Sequence, residues 1–130
     1  MLDTNIISDM IRNPSGTVVR RLREVGEDAV CTSIIVAAEL RYGCAKKGSS
    51  QLLKKVEDLL AEIAVLPLDI PADTGYGALR AELESLGQSI GANDLLISAH
   101  ACALGATLVT ANLGEFSRVK GLKVENWLVA

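Results

Sequence analysis

Four carboxylates in this chain sit where a carboxylate is costly. Asp3 follows Met1-Leu2, Glu39 interrupts the apolar run from Ile34 to Leu40, Asp94 precedes Leu95-Leu96-Ile97, and Glu115 trails Thr107 to Thr110. An unpaired carboxylate placed inside apolar surroundings costs several kcal/mol or takes up a proton, so it needs a compensating reason. A shared divalent cation is one such reason. Oxygen-only donors suit a hard ion such as Mg²⁺ or Mn²⁺. The lone histidine, His100, and three cysteines without a Cys-x-x-Cys pair give zinc or copper little to draw on. Ions held this way activate water and stabilise the leaving oxygen of an in-line phosphodiester displacement.

Taken singly, each acid has a plainer explanation. An Asp at a helix start, such as Asp3 or Asp94, ordinarily serves as an N-cap or complements the helix dipole. Glu115 alone reads as surface. Glu39 is harder to set aside, because Ile35, Val36, Tyr42 and Gly43 share its helix face, and that face is expected to point inward. The four placements together carry more than any one.

The elements that must position these acids follow from hydrophobic periodicity. Leu2-Asp3 forms a first short strand, and Thr4 to about Arg12 a helix with Ile6, Ile7, Met10 and Ile11 on one face, stopped by Asn13-Pro14. A second helix runs from Ser15 or Gly16 to Val25, and Ala29 to Thr32 is a strand. Ser33 caps a helix reaching about Lys46. Gly48-Ser49-Ser50 starts a long amphipathic helix with Leu52, Leu53, Val56, Leu59, Leu60 and Ile63 at helical spacing, and Ala64 to Leu68 is the next strand. Pro71 takes a first-turn position ahead of a helix ending near Leu86-Gly87, with Tyr76, Leu79 and Leu83 inward. Asn93 or Asp94 opens a further helix that closes at Gly105, then Thr107 to Thr110 and Leu122 to Val124 are strands. Strands separated by helices imply an α/β fold in three layers, α/β/α, with a central, mostly parallel sheet of four to five short strands flanked by helices. In such sheets ligands bind beyond the carboxyl ends of the strands, where Asp3, Asp94 and Glu115 fall.

Composition bounds the rest. At 130 residues the expectation is a single domain over 1–130, able to close a core without disulfides. With 49% hydrophobic residues but only Trp127, Tyr42, Tyr76 and Phe116 as aromatics, the core must be aliphatic. Cys31, Cys44 and Cys102 are expected as small core residues, in a reducing cytoplasm. The most apolar window, Ile97 to Ala111, contains His100 and Gly105 and is shorter than the roughly 20 residues that span a bilayer; no secretory signal is visible. A net charge of −3 argues against a protein that coats nucleic acid by bulk electrostatics. Local basic clusters remain at Arg20, Arg21 and Arg23, at Lys46-Lys47, at Lys54-Lys55, and at Arg118, Lys120 and Lys123; each taken alone reads as solvated surface. His100, about 120° around the helix from Asp94, is expected to be a packed or capping histidine rather than a base.

At this point the residues carry a resemblance. Leu2-Asp3-Thr4-Asn5, Ala38-Glu39-Leu40-x-Tyr42-Gly43, Ile90-Gly91-x-x-Asp94-x-x-Ile97-Ser98-x-His100-Ala101, Leu108-Val109-Thr110-x-Asn112-x-x-Glu115-Phe116 and the closing Val119 to Trp127 resemble the PIN-domain ribonuclease toxins of the VapC type, over the whole chain. The resemblance implies a metal-dependent endoribonuclease with Asp3, Glu39, Asp94 and Glu115 as metal-binding acids. It also implies a homodimer neutralised by a VapB-type antitoxin that inserts a cationic side chain among the acids, and an RNA substrate that is commonly tRNA. Thr4, Asn5, Thr110 and Asn112 would then orient the acids, a role that helix or turn capping does not exclude. The chain departs from the pattern in its short lead ahead of Leu2, in Ala111 where a polar residue is frequent, and in Glu115 where many relatives have Asp.

Two rival functions are open to the sequence. A phosphate-handling phosphatase or signalling domain would need a second Asp where Asn5 stands, or paired acids at the first strand with a later Lys. A catalytically silent binding module would have no reason to keep all four acids.

Overall fold

The first helix shows how local sequence sets up the site. In the computed structural model, which describes residues 1–129, α1 spans Thr4–Arg12 and begins at Asp3, whose Oδ1 accepts the Thr4 N–H at 2.8 Å. Ile6, Ile7 and Met10 are buried on one face, as their spacing predicts. The helix stops at Asn13, where Pro14 forbids continuation and the Asn13 amide donates to Asp9 Oδ1.

α2 (Thr17–Val25) leads through a short 3₁₀ turn to β1 (Cys31–Ser33). Ser33 caps α3 (Ile34–Lys47) by accepting the Ile35 N–H, and Ser49 caps α4 (Ser50–Glu62) by accepting the Leu52 N–H. Between them Gly48 ends α3 at φ +64°, a conformation open to glycine without strain. β2 is Ala64–Leu66, α5 Ala72–Ser85, α6 Ala92–Leu104, β3 Leu108–Val109, α7 Leu113–Phe116 and β4 Val124–Glu125.

All pairings are parallel. β1 pairs with β2 and β3 with β4, while Leu2 alone bridges the two pairs through Thr32 on one side and Val109 on the other. The expected first strand is therefore a single bridging residue in a sheet ordered β2-β1-Leu2-β3-β4. Its backbone is fully engaged: Leu2 N–H donates to Cys31, Asp3 N–H to Val109, and Val109 N–H to Met1. From Leu2 the chain steps outward twice, through β1 to β2, then returns across the sheet to β3 and continues to β4. Parallel strands of this order need crossover connections, which α1 to α6 provide. The reversal falls between Leu2 and β3, the position where α/β sheets open a ligand crevice.

Leu2, Ile6, Ile7, Val36, Val56, Ile97, Leu108 and Phe116 are sealed from solvent in the main core, each contributing about 1.5–3 kcal/mol of burial. A smaller cluster of Leu83, Ile90, Leu95 and Val119 fixes α5 and α6, with Tyr76 and Leu79 half-buried against it. No helix among the described residues is long and apolar enough to cross a membrane.

Several expectations are corrected. Pro71 is the residue before α5 rather than inside its first turn. Asp94 is not a cap: α6 begins at Ala92 after Gly91, leaving the Asp94 side chain free to face the other acids. Glu115 lies in a helix, not a loop, because Asn112 Oδ1 accepts the Glu115 N–H and closes the turn of α7. Tyr42, at 66% exposure, turns outward from the Glu39 face. Cys44 is buried and Cys31 half-buried, but Cys102 is exposed, being on the outer side of the last turns of α6.

Candidate active site

Asp3 is the anchor of the crevice. It is 4% exposed at the exit of the sheet's central position, and both carboxylate oxygens are bound. Oδ1 accepts the Thr4 N–H, while Oδ2 accepts the Thr110 hydroxyl at 2.7 Å and the Asn5 amide at 3.2 Å. Thr110 is held in turn, its Oγ1 accepting the Asn112 N–H at 3.0 Å. Asn5 Oδ1 accepts the Ala111 N–H at 2.9 Å, tying α1 to the segment that follows β3. Asp3 thus does cap its helix, and its second oxygen is aimed by a lattice the cap does not need.

The other acids arrive from separate elements. Glu39, half-buried on α3, accepts the Thr4 hydroxyl at 3.0 Å on Oε1. Asn112 Nδ2 donates to Glu115 Oε2 at 2.9 Å. Every one of Thr4, Asn5, Thr110 and Asn112 therefore bonds to one of the four acids. Such hydrogen bonds narrow the rotamers a carboxylate can take and fix its direction before any ligand arrives.

Asp94 and Glu115 behave as one unit. The Asp94 carboxyl is pushed up to about 7, chiefly by burial, then by its hydrogen bond with Glu115 and the negative fields of Asp3, Glu115 and Glu39. Glu115 moves the opposite way, lowered first by that same bond, with further help from the Asn112 amide, the Gly91 N–H and the Arg118 charge. The opposite shifts make Asp94 the member of the pair that holds a proton into the neutral range, where protonation relieves like-charge repulsion. The donor chemistry fits a hard divalent cation, since carboxylate and hydroxyl oxygens are the available donors and no ammonium or guanidinium of the described residues forms an ion pair with any of the four acids. Among the described residues no three acids are gathered as a ligand set for one ion, so binding would have to displace the Asp94 proton and draw the acids together.

His100 lies outside this cluster. Its Nδ1 is 2.8 Å from Ser33 Oγ, linking α6 to the cap of the Glu39 helix, and burial lowers its pKa against a weak opposing influence of the Pro67 carbonyl. That carbonyl forms no well-aligned bond to Nε2, which is without a partner. A buried neutral imidazole in this position packs, as expected. Asn5, where an aspartyl-phosphate chemistry would need a second acid, is committed to Asp3 and Ala111.

The basic cluster read at Arg118, Lys120 and Lys123 does not act as one patch. Lys120 pairs with Glu82 at 3.3 Å, whereas the Arg118 charge reaches Glu115 and its Nη1 donates to Ser89 O at 3.1 Å. Its position one helical turn beyond Glu115 is the sequence signal that sets it apart.

Comparison with known proteins agrees with this architecture. The PIN domain model matches residues 1–122. The chain is 40% identical to ribonuclease VapC2 of Rickettsia felis, over 98% of this chain and 96% of that protein. It is 38% identical to the tRNA(fMet)-specific endonuclease VapC of Shigella flexneri, again over 98% and 96%. Among solved structures, VapBC2 from Rickettsia felis bound to a DNA fragment from its promoter aligns with a TM-score of 0.91 at 39% identity, covering 98% of this chain and 97% of that one. Sharing both the doubly wound sheet and nearly the whole length with these proteins, the chain belongs to the PIN-domain family and, within it, to the VapC ribonucleases.

Proposed function

We propose that this ribonuclease is the toxin of a toxin–antitoxin pair, an endonuclease that hydrolyses tRNA with Asp3, Glu39, Asp94 and Glu115 holding Mg²⁺ or Mn²⁺, and that a VapB-type antitoxin silences it. The observation that carries the reading is the convergence of four acids from separate elements, Asp94 lying in the negative fields of Asp3, Glu39 and Glu115, with no ion pair to any of the four among the described residues. The tRNA assignment is supported by the tRNA(fMet)-specific relative, and the antitoxin by the VapBC complex to which the fold is similar.

When bound, a divalent cation would supply an activated water and offset charge on the departing oxygen. The chain's own residues do the rest. Thr110 and Asn5 hold Asp3 Oδ2 in place, and Thr4 holds Glu39, so that two of the acids are oriented in advance. Asp94 would have to be ionised to hold the cation, and Asn112 fixes the direction of Glu115 through its amide. Purified protein freed of antitoxin and given Mg²⁺ or Mn²⁺ is expected to cut tRNA into discrete fragments. Intact tRNA and other RNA under those conditions would overturn the reading.

Thr110→Val removes the hydroxyl while keeping the shape of a fully buried side chain. Asp3 Oδ2 then loses its shortest bond, and Mn²⁺ affinity is expected to fall about 10–100-fold with the fold retained. Calorimetric titration checks this; unchanged affinity would mean that Thr110 only closes its turn.

A further inference from the structure

An acidic crevice repels the polyanion it is proposed to cut. Four carboxylates converge on the crevice, the chain carries a formal charge of −3, and every phosphodiester of an RNA strand brings another negative charge. A cation at the rim would relieve this, provided it is not already paired. Among the described residues Arg21, Arg41, Lys54, Arg80 and Lys120 are each committed to an acid elsewhere on the surface.

Arg118 is placed differently. Its backbone N–H donates to the Glu115 carbonyl at 3.1 Å, and its exposed guanidinium reaches across to Ser89 O, ahead of Gly91 and Asp94. The side chain therefore spans the two segments that carry Asp94 and Glu115. One Nη1–H is used to hold it there, and the other donors of the fork have no partner among the described residues, on an exposed side chain between the segments of Glu115 and Asp94. Its charge is felt at Glu115 without a salt bridge forming. A tethered guanidinium loses less freedom on binding than an untethered lysine, and its planar fork matches two phosphate oxygens at once.

We propose that Arg118, held by Ser89, is a substrate-positioning residue that grips an RNA phosphate next to the one being cleaved. This rests on the endoribonuclease reading above. Arg118→Gln is expected to raise KM roughly tenfold with kcat within about twofold. Binding of a synthetic tRNA anticodon stem-loop, followed by anisotropy on an Asp94→Asn background so that the RNA stays intact, is expected to lose about one unit of its log–log salt slope. Arg118→Lys, keeping charge but losing the fork, is expected to restore the slope and only part of KM. Lys54→Gln, on a remote surface pair, is expected to match the wild type in both.

A KM and salt slope unchanged by Arg118→Gln would overturn the proposal, as would a fall in kcat alone, which would make Arg118 merely a brace for the Ser89 segment. These outcomes are read against a wild type that cuts RNA. A wild type that neither binds nor cuts any RNA would remove the endoribonuclease reading itself, and this proposal with it.

Discussion

Asp94→Asn is expected to abolish RNA cleavage, by at least ~10³-fold or about 4 kcal/mol of transition-state stabilisation, while making the cation-free protein more stable. The two effects share one origin. Asp94 has a pKa of about 7 in the fold against an ordinary 3.8, so ionising it in place is unfavourable. A carboxyl whose folded-state pKa is raised destabilises the ionised protein: the cost is absent below about pH 4, grows as pH rises, and is complete above about pH 7. Solvent screening at this half-buried position limits it to ~1–2 kcal/mol. Glu115 works in the opposite sense, its lowered pKa giving a gain present above its ordinary value and lost as pH falls.

Asn keeps the shape and a donor toward Glu115 but cannot ionise. At pH 8 without cation, the variant is expected to melt about 3–6 °C above the wild type. With excess Mn²⁺ the order narrows or reverses, since only the wild type gains by binding. Differential scanning with and without Mn²⁺, paired with a cleavage assay, decides it. A variant that cuts RNA normally, or melts lower in cation-free buffer at pH 8, would sink the idea that Asp94 is held at a cost for the sake of a cation.

That cost was partly legible in the sequence, and what was hidden has physical reasons. Ile6, Ile7 and Met10 at helical spacing, Ser33 as a cap, and Gly105 as a closing glycine are local signals, and the elements they mark stand where expected. Strand limits slipped because pairing is decided across the sheet: Leu2 pairs as one residue on each side, and the last strand is set by the register of Val124 and Glu125 against Leu108 and Val109. α7 escaped notice because Leu113 to Phe116 is too short to show a period, although its cap, Asn112, had been singled out for another role. The acids themselves were conspicuous through the cost of burying charge. Which two of them shift each other most was not, because Asp94 and Glu115 meet only through the return of the chain across the sheet, and no local pattern encodes that meeting.

The raised Asp94 pKa sets the second large effect, a steep pH dependence of cation binding. A ligand carboxyl must be ionised, so a cation and the Asp94 proton compete for one site. Below about pH 7 the apparent Mn²⁺ affinity is expected to fall toward tenfold per pH unit, approaching 100-fold between pH 7 and pH 5, and to level off above. Cleavage at limiting Mn²⁺ should follow the same curve, whereas saturating Mn²⁺ should move its midpoint toward acid as the cation displaces the proton. Glu115→Gln separates the causes of the Asp94 shift. It removes the Glu115 charge and the carboxylate that receives the proton, but leaves burial, the largest cause, and the charges of Asp3 and Glu39. The inflection is therefore expected to move only part of the way toward an ordinary carboxyl. Mn²⁺ titrations followed by electron paramagnetic resonance across pH 5–8 measure this without turnover. An affinity flat across that range, or a Glu115→Gln profile superimposed on the wild type, would show that Asp94 does not hold the proton a cation must displace.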